Sequence, residues 1–599
     1  MAGMPSSAPA VADSSRTNVA DRLETIARRL PDAVGVACPG RGDVAGQREY
    51  ATCTFRELND DATALARGLV DLGVRPGTRL VLLVRPGVEF VKLVFALLRC
   101  GATTVLVDPG MGRAHLLDCL AATQPHGFVA ISAAQAVRRV YGRRFPRARL
   151  NVTVGRRWFW GGATYRGLLR AGRRSAAALP DTRAGDSAAI IFTSGSTGPP
   201  KGVLYTHGMF DAQVRDIADR YGLSPGGADL ACFPLFGLFN SAMGVTTVFP
   251  DMDFSRPAAA DPAKLLAAAS DWQVTQAFAS PAVWDKLSRY LDDHSERINT
   301  LRKVFSCGAP VPAAVLRRTL GCISPDAQMH TPYGATESLP VATIAAAEVL
   351  GETAALTDAG AGVCVGSRFD SAEWRVIRIT DQPIATLADA QELPVGEIGE
   401  LVVRGPQVSP SYVVDPGGGA TTVGVGQQGA DAPRSPANAR SKIAEGDAVW
   451  HRMGDVGYLD QQGRFWYCGR KAHRVETDHG TLFTECVEAI FNKHEFVRRT
   501  ALVGVGERPR QEPVLVFEPD RGDPTVFEDF LDGETGKPVS REDVIRRIPS
   551  DFAAIAEQHA LTRTIRRFLR HDGFPVDVRH NSKIRREDLA AWAATQLNS

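Results

Sequence analysis

Ala188-Ala-Ile-Ile-Phe-Thr-Ser-Gly-Ser-Thr-Gly-Pro-Pro-Lys-Gly202 decides how the rest of the chain is read. The apolar run Ala188 to Phe192 reads as a buried strand, and Val203-Leu-Tyr205 reads as a second one. Between them lies a loop of hydroxyls and glycines that ends in Lys201. Glycines let backbone N–H groups turn toward an anion, hydroxyls add donors, and a lysine adds a mobile positive charge. That chemistry suits a polyphosphate. The common P-loop ends in Gly-Lys-Ser/Thr and opens a helix. Here Pro199 and Pro200 oppose a helix start, so the loop is expected to join two strands.

Outward from this loop the pattern alternates. Leu58, Ala62, Leu65, Ala66, Leu69 and Leu72 fall at helical spacing within Phe55 to Leu72. Leu80 to Leu83 and Thr104 to Val107 read as strands, and Phe90 to Leu98 as a helix between them. Such alternation predicts an α/β fold with layered, largely parallel sheets. The run Gly399-Glu-Leu-Val-Val-Arg404 opens a β-rich subdomain. Residues 416–446, rich in Gly, Ala, Pro and Ser, offer no packing face and read as a flexible loop, with a lid role open to it. A small α+β unit is expected over 471–599, with a helix at Val487 to Phe491, strands at Ala501 to Val505 and Val514 to Phe517, and a helix at Ile555 to Phe568. The expected organisation is therefore a disordered tail (1–17), a large N-terminal domain (18–470) and a mobile C-terminal domain (471–599) hinged at about 470–473.

Composition narrows the class. Apolar residues make up 44% of the chain and charged residues 23%, as in an ordinary globular protein. A net charge of +2 gives no electrostatic case for nucleic acid or an anionic membrane, and short clusters such as Arg138-Arg139 and Arg143-Arg144 read as solvated faces. Ten cysteines form no C-x-x-C pair, which argues against a metal site or a disulfide framework. No apolar run reaches the ~20 residues of a transmembrane helix, and the first 17 residues lack the apolar core of a signal peptide. A cytoplasmic protein is expected.

Four further motifs follow the loop in order: Tyr333-Gly-Ala-Thr-Glu337, Gly454-Asp455, Gly469-Arg470 and Asn581-Ser-Lys583. Together with the loop they resemble the signatures of the adenylate-forming superfamily, which holds acyl-CoA synthetases, luciferases and peptide-synthetase adenylation domains. The resemblance implies ATP and Mg²⁺ as cofactors and assigns roles by position. Thr193, Ser194, Gly195, Ser196, Thr197, Gly198 and Lys201 would form the phosphate loop, with Ser194, Ser196, Thr197 and Lys201 on the β- and γ-phosphates. Gly308, Ala309, Pro310, Tyr333 and Gly334 would line the adenine. Thr336 would touch the α-phosphate and Glu337 would hold Mg²⁺, a hard cation that takes oxygen ligands. Asp455 would accept bonds from the ribose hydroxyls, and Arg470 would donate to the ribose or phosphate. Lys583 would be the catalytic lysine. His207, Phe236 and Gly237 would belong to the acid pocket, although a structural role for His207 stands equally open.

Local sequences narrow the resemblance. Tyr205-Thr-His-Gly-Met-Phe210, Phe233-Pro-Leu-Phe236, Pro250-Asp-Met-Asp253, Thr331-Pro-Tyr-Gly-Ala-Thr-Glu337 and Cys468-Gly-Arg-Lys-Ala-His-Arg-Val-Glu-Thr477 look like the β-lactone synthetases of bacterial long-chain olefin biosynthesis. This implies adenylation of a long-chain (2-alkyl-)3-hydroxy acid, followed by attack of its own 3-hydroxyl to give a β-lactone and AMP. Other enzymes of an olefin or β-lactone pathway would then be partners. Two departures from the wider pattern agree with a reaction that needs no CoA: Ala472 at the hinge position, and His479, one residue before Gly480, where a ring would narrow a pantetheine route. Gly237, where many relatives carry His, would leave room for an alkyl chain. The alternative is a fatty acyl-CoA ligase or a ligase that loads a carrier protein.

Overall fold

The computed structural model describes residues 16–44, 47–107, 111–193, 200–414, 435–520, 540–576 and 583–598. Three large sheets build the part before Arg470. The first has eight strands, and Ser187–Phe192 lies inside it, between Thr103–Leu106 and Gly202–Thr206. Ser187–Phe192 is parallel to Thr103–Leu106 and antiparallel to Gly202–Thr206, so the Ser/Gly loop does join two strands, as expected. Loop residues 194–199 themselves lie outside the described residues.

The second sheet has nine strands. Its parallel centre is Thr246–Val248, Ala228–Ala231, Gln276–Ala279, Lys303–Ser306 and Gln328–Ala335. The third sheet is antiparallel and contains Gly399–Arg404, Ala448–Leu459 and Phe465–Arg470, which is the expected β-rich subdomain. Helices pack between the first two sheets. Phe55–Asp71 starts at a capping box in which Thr54 and Glu57 bond each other's backbone N–H, and its apolar stripe is buried. His207–Tyr221 is capped by Thr206 and ends at Gly222 in the left-handed region.

After Arg470 come a two-strand hairpin (Val475–Thr477 with Gly480–Leu482) and a three-strand sheet (Val497–Val505, Glu512–Pro519, Arg567–Arg570) over helices Thr484–Phe491 and Arg541–Gln558. This corrects the helix expected at Ile555 to Phe568. The helix stops at Gln558, and Arg567–Arg570 instead adds a parallel strand to Glu512–Pro519. Ile565, between that helix and the strand, is buried in the core of this unit.

Two further expectations change. The tail is already tied down at its last residues: Thr17 N–H bonds Thr182 O at 2.8 Å, and the Thr182 hydroxyl bonds Thr17 O. The flexible loop of 416–446 is ordered over its last part. Pro436–Ser441 is a helix capped by Ser435, and Lys442–Glu445 is a strand. Residues 415–434 lie outside the described residues. All ten cysteines are free thiols. Among the described residues, no helix is long and apolar enough to cross a membrane.

Candidate active site

The carboxyl ends of the first two sheets and the antiparallel sheet meet at one cavity of about 990 Å³. Thr193, Lys201, Gly308, Ala309, Pro310, Tyr333, Gly334, Thr336, Glu337, Asp455, Arg470 and Lys583 all line it. The chain brings them together by strand register. Ala335 pairs with Ser338, so Thr336 and Glu337 are the two-residue turn of a hairpin and project at its tip. Asp455 pairs directly with Arg470 across two antiparallel strands. Gly308 sits at φ +99°, a conformation that glycine adopts without strain, and carries the chain around the cavity wall. The mouth of the Ser/Gly loop is closed twice: Thr193 N–H bonds Lys201 O, and Lys201 N–H bonds the Thr193 hydroxyl, both at 3.0 Å.

Asp455 is the best-defined acceptor. The Tyr333 hydroxyl donates to its Oδ2 at 2.5 Å. Arg470 Nη1 stands 3.0 Å from Oδ1 but aims no N–H at it, so Oδ1 has a charge partner and no hydrogen-bond donor among the described residues. A buried carboxylate oxygen left in this state is ready for a donor from a ligand. Burial pushes the Asp455 carboxyl above its usual range, while Arg470, the Tyr333 hydroxyl and Lys583 pull the other way. Lys583, contributed by the C-terminal unit, thus acts on the same carboxylate as the N-terminal residues. Tyr333 is anchored by this bond and packs at a tilt near Phe465 and Tyr467.

Several site residues were not found from the sequence. The Tyr412 hydroxyl donates to Glu337 Oε1 at 2.6 Å. Ser409 N–H bonds Glu337 O, and the Tyr205 hydroxyl bonds Thr336 O at 2.6 Å, so the turn is held from three sides. Lys201 Nζ lies 5.0 Å and Lys442 Nζ 5.6 Å from the centre of the Tyr412 ring. Burial, together with Lys201, lowers the Lys442 ammonium to about 7 against the pull of Glu337. Asn438 clips the backbone of Tyr412 with two bonds, 2.8 Å to its N–H and 3.0 Å to its carbonyl. Arg440, on the same short helix, lines the cavity. Ser435-Pro436 is a helix-start signal that could have revealed this segment.

Beyond its polar end the cavity becomes an apolar chamber. Its walls include Val94, Phe95 and Leu98 from helix Val88–Arg99, Val214 and Ile217 from His207–Tyr221, and Leu235, Leu238, Phe239 and Met243 from Pro234–Met243. One polar cluster interrupts it. Asn240 donates to Asp229 Oδ2 at 2.7 Å, and Gln276 donates to Asn240 Oδ1 at 3.3 Å. Asp229 Oδ1 has no partner among the described residues, and burial raises its carboxyl to about 6 against these hydrogen bonds.

Three sequence readings are corrected here. Gly237 does not line the chamber; a Cβ on it would meet Thr247 Cγ2 at 3.1 Å and Ala231 Cβ at 3.2 Å, so it faces the sheet. His207 is fully buried beside Asp186 and is not part of the cavity wall, and burial lowers its imidazole to about 4. His479 stands exposed at the tip of the hairpin after Arg470, away from the cavity, so its ring narrows nothing in this arrangement. The Phe236 side chain lies outside the described residues, as do Ser194, Gly195, Ser196, Thr197 and Gly198. Near the expected hinge, Lys471 reaches Glu400 at 3.0 Å, Arg474 pairs with Asp381, and Arg508 bonds the carbonyls of Ala472 and Arg474.

The profile of the family described as "AMP-binding enzyme" matches residues 23–413. The chain belongs to the AMP-binding enzyme family. Two relatives of this AMP-binding enzyme, from Xanthomonas campestris pv. campestris and Stenotrophomonas maltophilia, are each named "Olefin beta-lactone synthetase". Each is 44% identical to it, and the alignment covers 97% of this chain and 98% of the relative. Among solved structures, the anthranilate CoA ligase AuaEII in complex with anthranoyl-AMP shares the fold, with a TM-score of 0.72 at 17% identity over 98% of both chains.

Proposed function

We propose that this AMP-binding enzyme is an ATP-dependent β-lactone synthetase acting on a long-chain (2-alkyl-)3-hydroxy acid. The observation that carries the reading is the 44% identity along nearly the whole length of two olefin β-lactone synthetases. The cavity supports it, because one continuous space runs from a polar end to an apolar chamber.

In this reading the acid's carboxylate attacks the α-phosphorus of ATP, and the bond to pyrophosphate breaks. Lys201 and the loop hydroxyls hold the departing phosphates. Lys583 and Thr336 neutralise charge that develops on the α-phosphoryl oxygens, a form of catalysis that depends on placement. Oδ1 of Asp455, which has no hydrogen-bond donor among the described residues, takes a ribose hydroxyl. Glu337 fits a Mg²⁺ role, since Tyr412 occupies one carboxylate oxygen and leaves the other for a cation that also binds phosphate. The metal, when bound, would neutralise phosphate charge. The acid's 3-hydroxyl then attacks the acyl carbon, a C–O bond closes the four-membered ring, AMP leaves and the hydroxyl proton passes to solvent. Holding nucleophile and ester on one chain supplies an effective molarity of ~10⁵ M or more in well-oriented cases. The C-terminal unit, from about residue 471, would move about its junction to admit substrates. The ten free thiols are in keeping with a cytoplasmic enzyme, and other pathway enzymes would supply the acid and consume the lactone.

The test is incubation with ATP, Mg²⁺ and either a 2-alkyl-3-hydroxy acid or its 3-deoxy analogue, with and without CoA. Lactone and AMP are expected from the hydroxy acid regardless of CoA, and retained acyl-adenylate from the analogue. Acyl-CoA from both acids would replace this reading with the ligase.

A further inference from the structure

We propose that the face formed by helix Ser132–Val140, the turn Gly142–Arg144 and the loop 155–162 docks the protein on an anionic lipid surface. The whole-chain charge of +2 conceals how unevenly charge is placed. Residues 119–180 contain 12 arginines and no aspartate, glutamate or lysine, which leaves −10 for the rest of the chain. Only Arg144, with Asp118, and Arg173, with Asp61, have a carboxylate partner among the described residues. The other ten arginines carry charge that no described side chain neutralises.

Six of the twelve arginines (Arg138, Arg139, Arg143, Arg144, Arg156 and Arg157) lie in the named helix, turn and loop, and apolar side chains stand out beside them. Of the eight large hydrophobic residues exposed among the described residues, five are here: Val137, Val140, Tyr141, Trp158 and Phe159. Val140 is 78% and Phe159 81% exposed. Trp158 stacks on the buried Trp160, which fixes the loop from beneath, and Phe159 meets Trp160 edge-on. Arg138 joins helix to loop through Trp160 O, and the Ser132 hydroxyl bonds Arg156 O at 2.6 Å. The patch is therefore one surface on a rigid support.

Arginines pull toward anionic headgroups, and their stems, like Trp and Tyr rings, tolerate the boundary between headgroup and acyl chain. Exposed Trp and Phe beside such charge favour a lipid interface over a polyanion such as RNA, which would engage the charge without needing aliphatic Val140. The loop follows strand Leu150–Val154, whose carboxyl end lies at the same edge of the sheet as that of Ser187–Phe192. It sits four strands away, or about 19 Å at ~4.8 Å per strand. Docking there leaves the nucleotide end clear.

The experiment is sedimentation of the full chain with vesicles of phosphatidylcholine alone, or of phosphatidylcholine and phosphatidylglycerol in equal parts, at low and high salt. Variants Trp158→Ser/Phe159→Ser and Arg139→Gln/Arg143→Gln/Arg156→Gln are compared, and thermal unfolding midpoints confirm that they fold. Binding is expected on the anionic vesicles alone, weakened by salt, by about tenfold or more in the aromatic variant and by about fivefold per arginine replaced. Absence of binding at low salt overturns the proposal. So does binding that the aromatic variant leaves unchanged and that duplex RNA competes away, since that is a polyanion site.

Discussion

The two ends of the cavity are built by opposite means. At the polar end, which the proposed function gives to the nucleotide, contiguous motifs at strand ends carry the polar groups, and hydrogen bonds such as those of Tyr333, Tyr412 and Tyr205 fix them. At the acid end, single residues from three helices make an apolar wall, with the Asp229 cluster as its polar interruption. The first end depends on charge and direction, the second on volume. A substitution at one end should therefore change rate, and at the other stability or fit.

The largest effect tests the first half of that contrast. Lys583→Ala should lower pyrophosphate release by ~10²–10³, the scale of one lost charged donor in a transition state, with the unfolding midpoint unchanged. Near-normal release would remove Lys583 from the chemistry. Next is Asp229→Asn at the acid end. Folding raises this carboxyl from 3.8 to about 6, so the folded state holds the proton more tightly. Its stabilising contribution is complete below about pH 4 and is lost as pH rises through about 6. The two-unit gap corresponds to about 3 kcal/mol. The variant should thus gain on the original protein between about pH 4 and pH 7 in denaturant titrations; a constant difference across that range would place the ionisation elsewhere.

Gly237→Val should cost about 1–3 kcal/mol by overpacking against Thr247 and Ala231, with no change in preferred acyl length. A shift in length preference without loss of stability would return Gly237 to the chamber wall. Smallest is Tyr412→Phe. Losing a hydrogen bond to a carboxylate is worth about 1.5 kcal/mol, so turnover should fall by about tenfold and the Mg²⁺ requirement should rise, read by metal titration of the rate.

The same contrast explains what the sequence disclosed. Thr336-Glu337, Asp455 and Arg470 were legible because each sits in a short run whose order carries its chemistry. Tyr412, Lys442 and Arg440 were not, because they border or fall within a stretch whose composition reads as unstructured; Tyr412 and Lys442 enter the site through tertiary contacts with Glu337 and Lys201, and Arg440 by lining the cavity. The chamber was missed for another reason: Val94, Val214 and Phe239 are apolar residues of helices, and sequence alone does not tell a wall from a core. Gly237 failed on direction, since the side of the helix it occupies depends on packing against Thr247. In the C-terminal unit, the apolar spacing from Ile555 to Phe568 fitted a helix, yet pairing with Glu512–Pro519 drew Arg567–Arg570 into a strand.

The clip that Asn438 places on Tyr412 has a practical consequence for engineering. It fastens the two ends of the intervening chain to each other, next to Glu337, whatever the length between them. The entropy of closing a longer connection grows only logarithmically, by about 0.6 kcal/mol per doubling. An insertion of a reporter domain or an affinity handle between residues 415 and 434 is therefore expected to leave the Glu337 carboxylate in place, with Asn438 and Tyr412 acting as the clasp, as turnover of the insertion variant would check.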